Sequence, residues 1–182
     1  RLLEGAAKNL PLMAVLFIPL ALNMETIFPW ATPTPDEKML EVLHLKGGYQ
    51  NKPFFLGRAA LYFAIWIGLT YFLTKWSRQQ DEMPAQLPGP LDRRSRMLSG
   101  PGLVLFVATI TFMSVDWVMS LDPHWYSTIF GVLMLGGSGL STMAFAILMM
   151  ALLSRVEPMS RVATAEKFHD HGKLMFAFVM LW

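Results

Sequence analysis

One stretch of the chain places two carboxylates and a histidine around the end of an apolar run. Asp116 lies inside the last turns of that run, and Asp122 and His124 follow in the short connection to the next one. Ionisable groups are costly in hydrocarbon, so a carboxylate kept there usually has a charge partner or carries a proton or a ligand. The pattern therefore predicts either a buried ion pair or a proton relay at this end.

Arg58 is the predicted charge partner of Asp116. It lies one turn into the preceding apolar run, at the same level by the orientation given below, and pairing lowers the cost of both charges at that depth. Burial disfavours an ionised carboxylate, whereas a neighbouring guanidinium favours it. A structural ion pair and a proton-relay carboxylate therefore both remain open for Asp116.

Asp122 and His124 also have two readings. An aspartate before a proline commonly starts a tight turn, and Asp122-Pro123-His124 precedes the next run in that way. The alternative is a polar entry where protons or a quinol head group exchange with the outer phase.

A second polar cluster opens the last apolar run. His169, Asp170 and His171 follow Glu166 and Lys167 at this helix start, where the helix dipole favours acidic residues. The three residues are equally credible as a proton-uptake mouth, because histidine titrates near neutral pH. The structural and the functional reading stay open here too.

The chain offers few ligands for a redox centre of its own. It has no cysteine, which excludes disulfides, thiolate-bound iron–sulfur clusters and covalently attached c-type haem within this chain. The first four apolar runs carry no histidine in their interiors, and His44, His124 and the pair His169/His171 lie in different connections or at different ends. We therefore expect no catalytic residue, no metal site and no bound haem in this chain.

Membrane-spanning helices must position these residues. Hydrophobic residues make up 54% of the 182 residues, and the mean hydropathy is +0.42. Apolar runs near the ~20 residues that a spanning helix needs, without strand-like alternation, predict an all-α polytopic transmembrane bundle. The chain is expected to be a single transmembrane domain over residues 1–182, cut from a longer protein. Spans A to E are predicted at about residues 10–24, 54–76, 101–120, 128–153 and 164–182, the fifth being incomplete.

The connections carry signals of their own. Thr34, Pro35 and Glu37 form a capping-box pattern before a short apolar segment that stops at Gly47-Gly48, which predicts a short helix on the membrane surface. Residues 77–100 hold three prolines and a basic cluster, and they predict an extended loop. The glycines of span D predict close packing against another helix.

Lysine and arginine set the predicted orientation. Five basic residues lie in or beside the B–C loop, whereas the C–D hairpin has none. By the positive-inside rule, the N-terminus and the B–C and D–E loops face the cytoplasm. Arg58, Asp116, Asp122 and His124 then lie towards the outer face, and His169, Asp170 and His171 towards the inner one.

Five short motifs stand at the ends of the predicted spans. They are Asn9-Leu10, Pro53-Phe54-Phe55-Leu56-Gly57-Arg58, Ser77-Arg78-Gln79-Gln80-Asp81, Val115-Asp116-Trp117 through His124-Trp125, and Phe168-His169-Asp170-His171-Gly172-Lys173-Leu174. Together they resemble the second polysulfide-reductase-type (NrfD-like) membrane subunit of bacterial alternative complex III, a quinol:electron acceptor oxidoreductase. The stretch around Asp116 and His124 is the most specific part.

The resemblance implies a larger fold of about ten transmembrane helices in the bacterial inner membrane, of which this chain would supply an internal portion. It implies a paralogous NrfD-like membrane subunit that holds the quinol, an iron–sulfur subunit and c-type haem subunits as partners. It also implies a subunit without a redox centre that supports proton movement or assembly. No residue here individually matches the family's quinol site.

The sequence thus favours an integral membrane subunit of a quinol-oxidising respiratory complex that supports proton translocation and assembly. Its expected environment is the lipid bilayer, and nucleic acid is not an expected partner. A secondary transporter is the first alternative, although transporters favour broken helices with polar groups near the midplane, and the charges here lie near the ends. A purely structural membrane anchor is the second.

Overall fold

A computed structural model of the chain describes residues 2–32, 37–82, 90–157, 159–161 and 163–182. Every regular element in these ranges is helical. The α-helices are α1 (Leu2–Ala7), α2 (Leu10–Leu22), α3 (Met24–Ile27), α4 (Glu37–Lys46), α5 (Lys52–Asp81), α6 (Pro90–Met113), α7 (Phe130–Leu153) and α8 (Ala165–Leu181). A π-helical turn at Ser114–Val118 and 3-10 turns at Pro29–Ala31, Met119–Leu121 and Met159–Arg161 complete the set.

Four helical segments in the described ranges are long and apolar enough to cross a membrane. They are Leu3–Leu22, Lys52–Asp81, Arg93–Leu121 and Phe130–Leu153. They correspond to spans A to D, and the start of helix E is present as α8. The protein is therefore an all-α membrane protein, and the predicted fold class is confirmed.

Contacts divide the chain into two compact units. One runs from Glu4 to Ser127, and the other consists of Thr128–Trp182 with Leu2 and Leu3. The expectation of one transmembrane domain stays a prediction.

In the unit Glu4–Ser127, α2 and α6 pack against the long α5. The chain enters α2 through α1 and breaks at Lys8 and Asn9. The break has a simple cause, because Pro11 has no N–H to donate to the carbonyl of Ala7.

A small aromatic core closes one end of this unit. Phe28 and Phe55 are each 1% exposed, and their ring centroids are 5.1 Å apart. Trp30 lies 5.5 Å from Phe55 and 5.6 Å from Phe28. Met39 of α4 joins the cluster, so the short helix is anchored by burial of its own apolar face.

The end of α4 agrees with the glycine signal. The Gly47 N–H donates to the Leu43 carbonyl at 2.7 Å, and a Cβ on Gly47 would lie 2.5 Å from that oxygen. Only glycine fits such a close approach. Thr34 and Pro35, which carry the predicted capping box, lie outside the described residues.

The expectation of an extended loop is wrong for residues 77–81 and 90–100, and residues 83–89 lie outside the described ranges. Helix α5 continues to Asp81, and α6 already begins at Pro90, which suits the first position of a helix. Pro101 lies inside α6 without ending it. In spanning helices the backbone groups that a proline frees find other partners, so proline is a weaker stop signal there than in soluble proteins.

The unit Thr128–Trp182 is built on packing between α7 and α8. A Cβ on Gly139 would lie 2.5 Å from the ring of Phe178, and one on Gly136 would lie 3.6 Å from Leu181. The small residues of span D therefore serve the close helix contact that the sequence predicts.

The orientation remains to be tested by cysteine labelling. Ser95 lies near the start of α6 and Ser127 beyond its end, separated by roughly 40 Å of helix at 1.5 Å per residue. We expect an impermeant maleimide added outside intact cells to label Ser127→Cys, and to label Ser95→Cys only after permeabilisation. The chain has no cysteine of its own to contribute background. If Ser95→Cys alone were labelled in intact cells, the true orientation would be the reverse of the predicted one.

Candidate functional site

The centre of the candidate site is the carboxylate of Asp116. Arg58 Nε donates to Oδ2 at 2.8 Å, and Arg58 Nη2 donates to Oδ1 at 2.9 Å. Two parallel bonds from one guanidinium form the fork geometry in which arginine holds a carboxylate most strongly. The predicted pair is therefore formed.

Tyr62 supplies a third hydrogen bond to this carboxylate. Its hydroxyl donates to Asp116 Oδ2 at 2.6 Å, on the oxygen that already accepts from Arg58 Nε. The Asp116 side chain is 2% exposed and that of Arg58 is 11% exposed. Oδ2 thus accepts two hydrogen bonds and Oδ1 accepts one, in a site that the described chain shields from solvent.

Arg58 is itself held on more than one side. Its Nη1 donates to the main-chain carbonyl of Tyr49 at 3.1 Å. Its guanidinium carbon lies 3.8 Å from the ring centroid of Tyr49 and 4.4 Å from that of Phe54. Cations over aromatic faces are attracted by the ring quadrupole. The guanidinium is therefore fixed by an ion pair, a main-chain acceptor and two rings.

Helical spacing explains why α5 can present this set. Arg58 and Tyr62 are four residues apart, so they lie on one face of the helix. Burial follows the same face, with Phe55, Ala59, Tyr62 and Trp66 all buried.

On the other wall, Asp116 lies in the π-helical turn. The Met119 N–H bonds to the carbonyls of both Ser114 and Val115, which widens the helix by one residue at this point. The Ser120 hydroxyl donates to the main-chain carbonyl of Asp116. Turns of this kind occur often at functional sites.

The hydroxyls along span C do not form a chain to Asp116. Thr109 donates to the Leu105 carbonyl at 2.7 Å, Thr111 to Val107 at 2.8 Å, and Ser114 to Thr111 at 2.7 Å. Thr109 also accepts from Trp66 Nε1 at 2.9 Å. Each hydroxyl proton is therefore engaged by the main chain of its own helix, as is common for Ser and Thr inside helices.

A cavity lies beside the pair. It has a volume of about 340 Å³, and its lining includes Lys46, Tyr49, Gln50 and Ser120. Burial, followed by the charge of Asp116, raises the pKa of Tyr49 to about 12, so its hydroxyl is protonated at neutral pH. Within the described part of the chain, the Tyr49 hydroxyl and Gln50 Oε1 are buried without a hydrogen-bond partner. Two residues with such unpartnered polar groups, Tyr49 and Gln50, therefore line a cavity next to the Arg58–Asp116 ion pair.

Asp122 and His124 form a turn near this site. Asp122 Oδ1 accepts from the main-chain N–H of His124 at 3.1 Å, and both residues are exposed. Lys46 Nζ donates to the Pro123 carbonyl at 2.6 Å and ties the turn to the end of α4. This arrangement supports the structural reading of the two residues and leaves His124 accessible.

The second cluster lies in the other unit, on the first turns of α8. His169 and Asp170 are exposed, whereas His171 is half-buried and its Nδ1 donates to the Lys167 carbonyl at 2.8 Å. Thr164 caps the helix by accepting from the Lys167 N–H at 3.4 Å. The three residues lie together because they are adjacent in the chain. The hydrogen bonds described for this helix start do not link them to one another.

The sequence predicted the Arg58–Asp116 ion pair but not the two tyrosines that contact it, Tyr62 and Tyr49. Tyr62 could have been found, because it lies four residues after Arg58. Tyr49 could not, since its position depends on the path of the connection between α4 and α5. Among the described residues, no three His, Asp or Glu side chains come close enough to share a metal ion.

No protein-family model matches the chain, and a search of curated proteins gives no significant match.

Proposed function

We propose that this chain is a membrane subunit of a quinol-oxidising respiratory complex, where it supports proton translocation and assembly without a redox centre of its own. The proposal rests on the motif resemblance to the NrfD-like subunit of alternative complex III. Its proposed partners are a paralogous membrane subunit with the quinol, an iron–sulfur subunit and c-type haem subunits, in a bacterial inner membrane. The observation that carries it in this structure is the buried cluster of Arg58, Tyr62 and Asp116.

The cluster defines what a relay at Asp116 would require. Every hydrogen bond at the carboxylate oxygens is donated to it, as an ionised carboxylate requires. Oδ2 already accepts two bonds, whereas Oδ1 accepts one from Arg58 Nη2 and keeps one acceptor position. A relay at Asp116 would therefore work through Oδ1, beside the bond from Arg58.

A structural anchor is the second candidate function. The hydroxyls of span C bond to their own helix and provide no route to the carboxylate. On this reading, the cluster joins α5 to the end of α6, and its loss harms assembly alone.

Asp116→Asn separates the two candidates. Asparagine keeps the shape and one acceptor oxygen for Arg58 but removes the titratable charge. In liposomes containing the intact complex, we expect Asp116→Asn to retain quinol turnover per assembled complex and to lose most of its quinol-driven proton translocation. Glu41→Gln, which removes a carboxylate from the exposed part of α4, is the matched control and should behave as wild type. Normal translocation by assembled Asp116→Asn would make Asp116 structural.

A further inference from the structure

A second cavity lies in the unit Glu4–Ser127, away from the ion pair. Its volume is about 530 Å³, and it runs between the junction of α1 with α2 and the second half of α5. Arg58 of the ion pair lies in the first half of α5, so the two features are at different levels of this helix. The Asp116 site makes no use of this groove.

The α5 wall of the groove changes in character along its length. Ile67, Tyr71, Thr74 and Arg78 follow one another at helical spacing, so they form one stripe. The stripe passes from an apolar side chain through an aromatic ring and a hydroxyl to a guanidinium. Lys75 lies beside Arg78 at the charged end.

The opposite wall repeats this order. Leu10 and Pro11, at the start of α2, line this wall, and Lys8 lies at the break before them. Glu4, one turn before Lys8, accepts a hydrogen bond from Ser77 near the end of α5, so Lys8 lies towards the same end of the groove as Lys75 and Arg78. Glu82 is the acidic residue in the lining, so three basic groups face one carboxylate.

These three basic side chains are available to a ligand. All three are exposed, and none forms an ion pair with a carboxylate in the part of the chain that the structure describes. The nearby Glu4 accepts from the Ser77 hydroxyl at 2.7 Å. The positive-inside rule places this end at the cytoplasmic membrane surface, where anionic lipids attract basic residues.

We propose that the groove binds an anionic phospholipid, with its phosphate among Lys8, Lys75 and Arg78 and an acyl chain along Leu10, Pro11 and Ile67. The charge at one end matches a headgroup, and the apolar walls match a hydrocarbon chain. A water-soluble phosphate would use the basic end and leave those walls without a partner. A lipid satisfies both parts of the groove, and the membrane supplies it.

The test is titration of the full-length protein in detergent with phosphatidylglycerol, followed by native mass spectrometry. The double variant Lys75→Gln/Arg78→Gln should bind phosphatidylglycerol roughly 30-fold more weakly, about fivefold for each basic side chain near an anionic headgroup. Arg93→Gln/Arg94→Gln is the matched control. It removes two exposed charges from α6 on the same predicted side, outside the groove, and should bind as wild type. Equal thermal unfolding of the two variants checks that both are folded.

Three outcomes would overturn the proposal. The first is wild-type affinity in Lys75→Gln/Arg78→Gln. The second is an equal loss in both double variants, which would show general surface attraction without a site. The third is displacement of phosphatidylglycerol by glycerol 3-phosphate at similar concentration, which would show that the groove recognises a free phosphate. Weaker binding of zwitterionic phosphatidylethanolamine than of phosphatidylglycerol by wild type would support it.

Discussion

Replacing Arg58 with alanine should lower the free energy of unfolding by about 3–5 kcal/mol, because it leaves the buried Asp116 carboxylate without its charge partner. Tyr62 would still donate one hydrogen bond, but the two bonds of the guanidinium and its contacts with the Tyr49 and Phe54 rings would be lost. Asp116→Ala should cost a similar amount by leaving Arg58 unpaired. The measurement is unfolding of the purified protein in detergent.

The double variant Arg58→Ala/Asp116→Ala tests whether the two losses share one cause. Removal of both charges leaves neither buried alone, so the double variant should be more stable than the sum of the single losses predicts, by about 1–3 kcal/mol. Arg93→Ala, an exposed arginine at the start of α6, is the control for loss of charge and should change stability little. Additive single losses would contradict an energetically coupled pair.

Phe55→Ala should destabilise the protein by about 3–5 kcal/mol, the usual cost of removing a fully buried ring from a packed core. Phe55 is 1% exposed and contacts the rings of both Phe28 and Trp30. Leu56→Ala changes the next residue, which is 40% exposed, and should cost about 0.5 kcal/mol or less.

Phe55→Leu keeps the result interpretable if the alanine variant fails to fold. Leucine retains much of the buried apolar volume. The loss of stability in Phe55→Leu should therefore lie between the losses in Phe55→Ala and Leu56→Ala. The same detergent unfolding assay applies. Similar losses for Phe55→Ala and Leu56→Ala would show that the aromatic cluster does not stabilise this end of the unit.

Hydropathy predicted the membrane class and the number of apolar spans, because twenty apolar residues in succession have few other folds available. It did not predict the helix ends. Proline interrupts helices in water, whereas charged residues mark the end of an apolar run without ending a helix. Reading both as helix ends led to the expected loop over residues 77–100, in which α5 continues to Asp81 and α6 begins at Pro90. Pro101 within α6 and the polar end of α5 show that neither signal ended a helix at these points.

The Arg58–Asp116 pair could be predicted from the sequence, because a buried charge requires an opposite charge beside it. Arg58 and Asp116 carry opposite charges at one expected level, and burial of either alone would be costly. Tyr49 and the π-helical turn had no such signal, because they depend on backbone geometry that residue types do not specify. The span C hydroxyls show the converse. Their residue types suit a relay, but their bonds go to the nearest carbonyls.

The π-helical turn at Ser114–Val118 has a consequence for how this helix tolerates insertion and deletion. Such a turn amounts to an α-helix with one additional residue, and each residue of an α-helix turns the chain by about 100°. The two parts of the span on either side of Asp116 therefore follow different registers. Because the wide turn takes up its extra residue locally, loss of a single residue here would restore one continuous α-helix and leave the chain beyond it in nearly the same orientation, whereas a deletion elsewhere in the span would rotate everything beyond it by about that angle. The span should therefore tolerate a one-residue deletion at Ser114–Val118 better than elsewhere, but the deletion would remove the turn that carries Asp116.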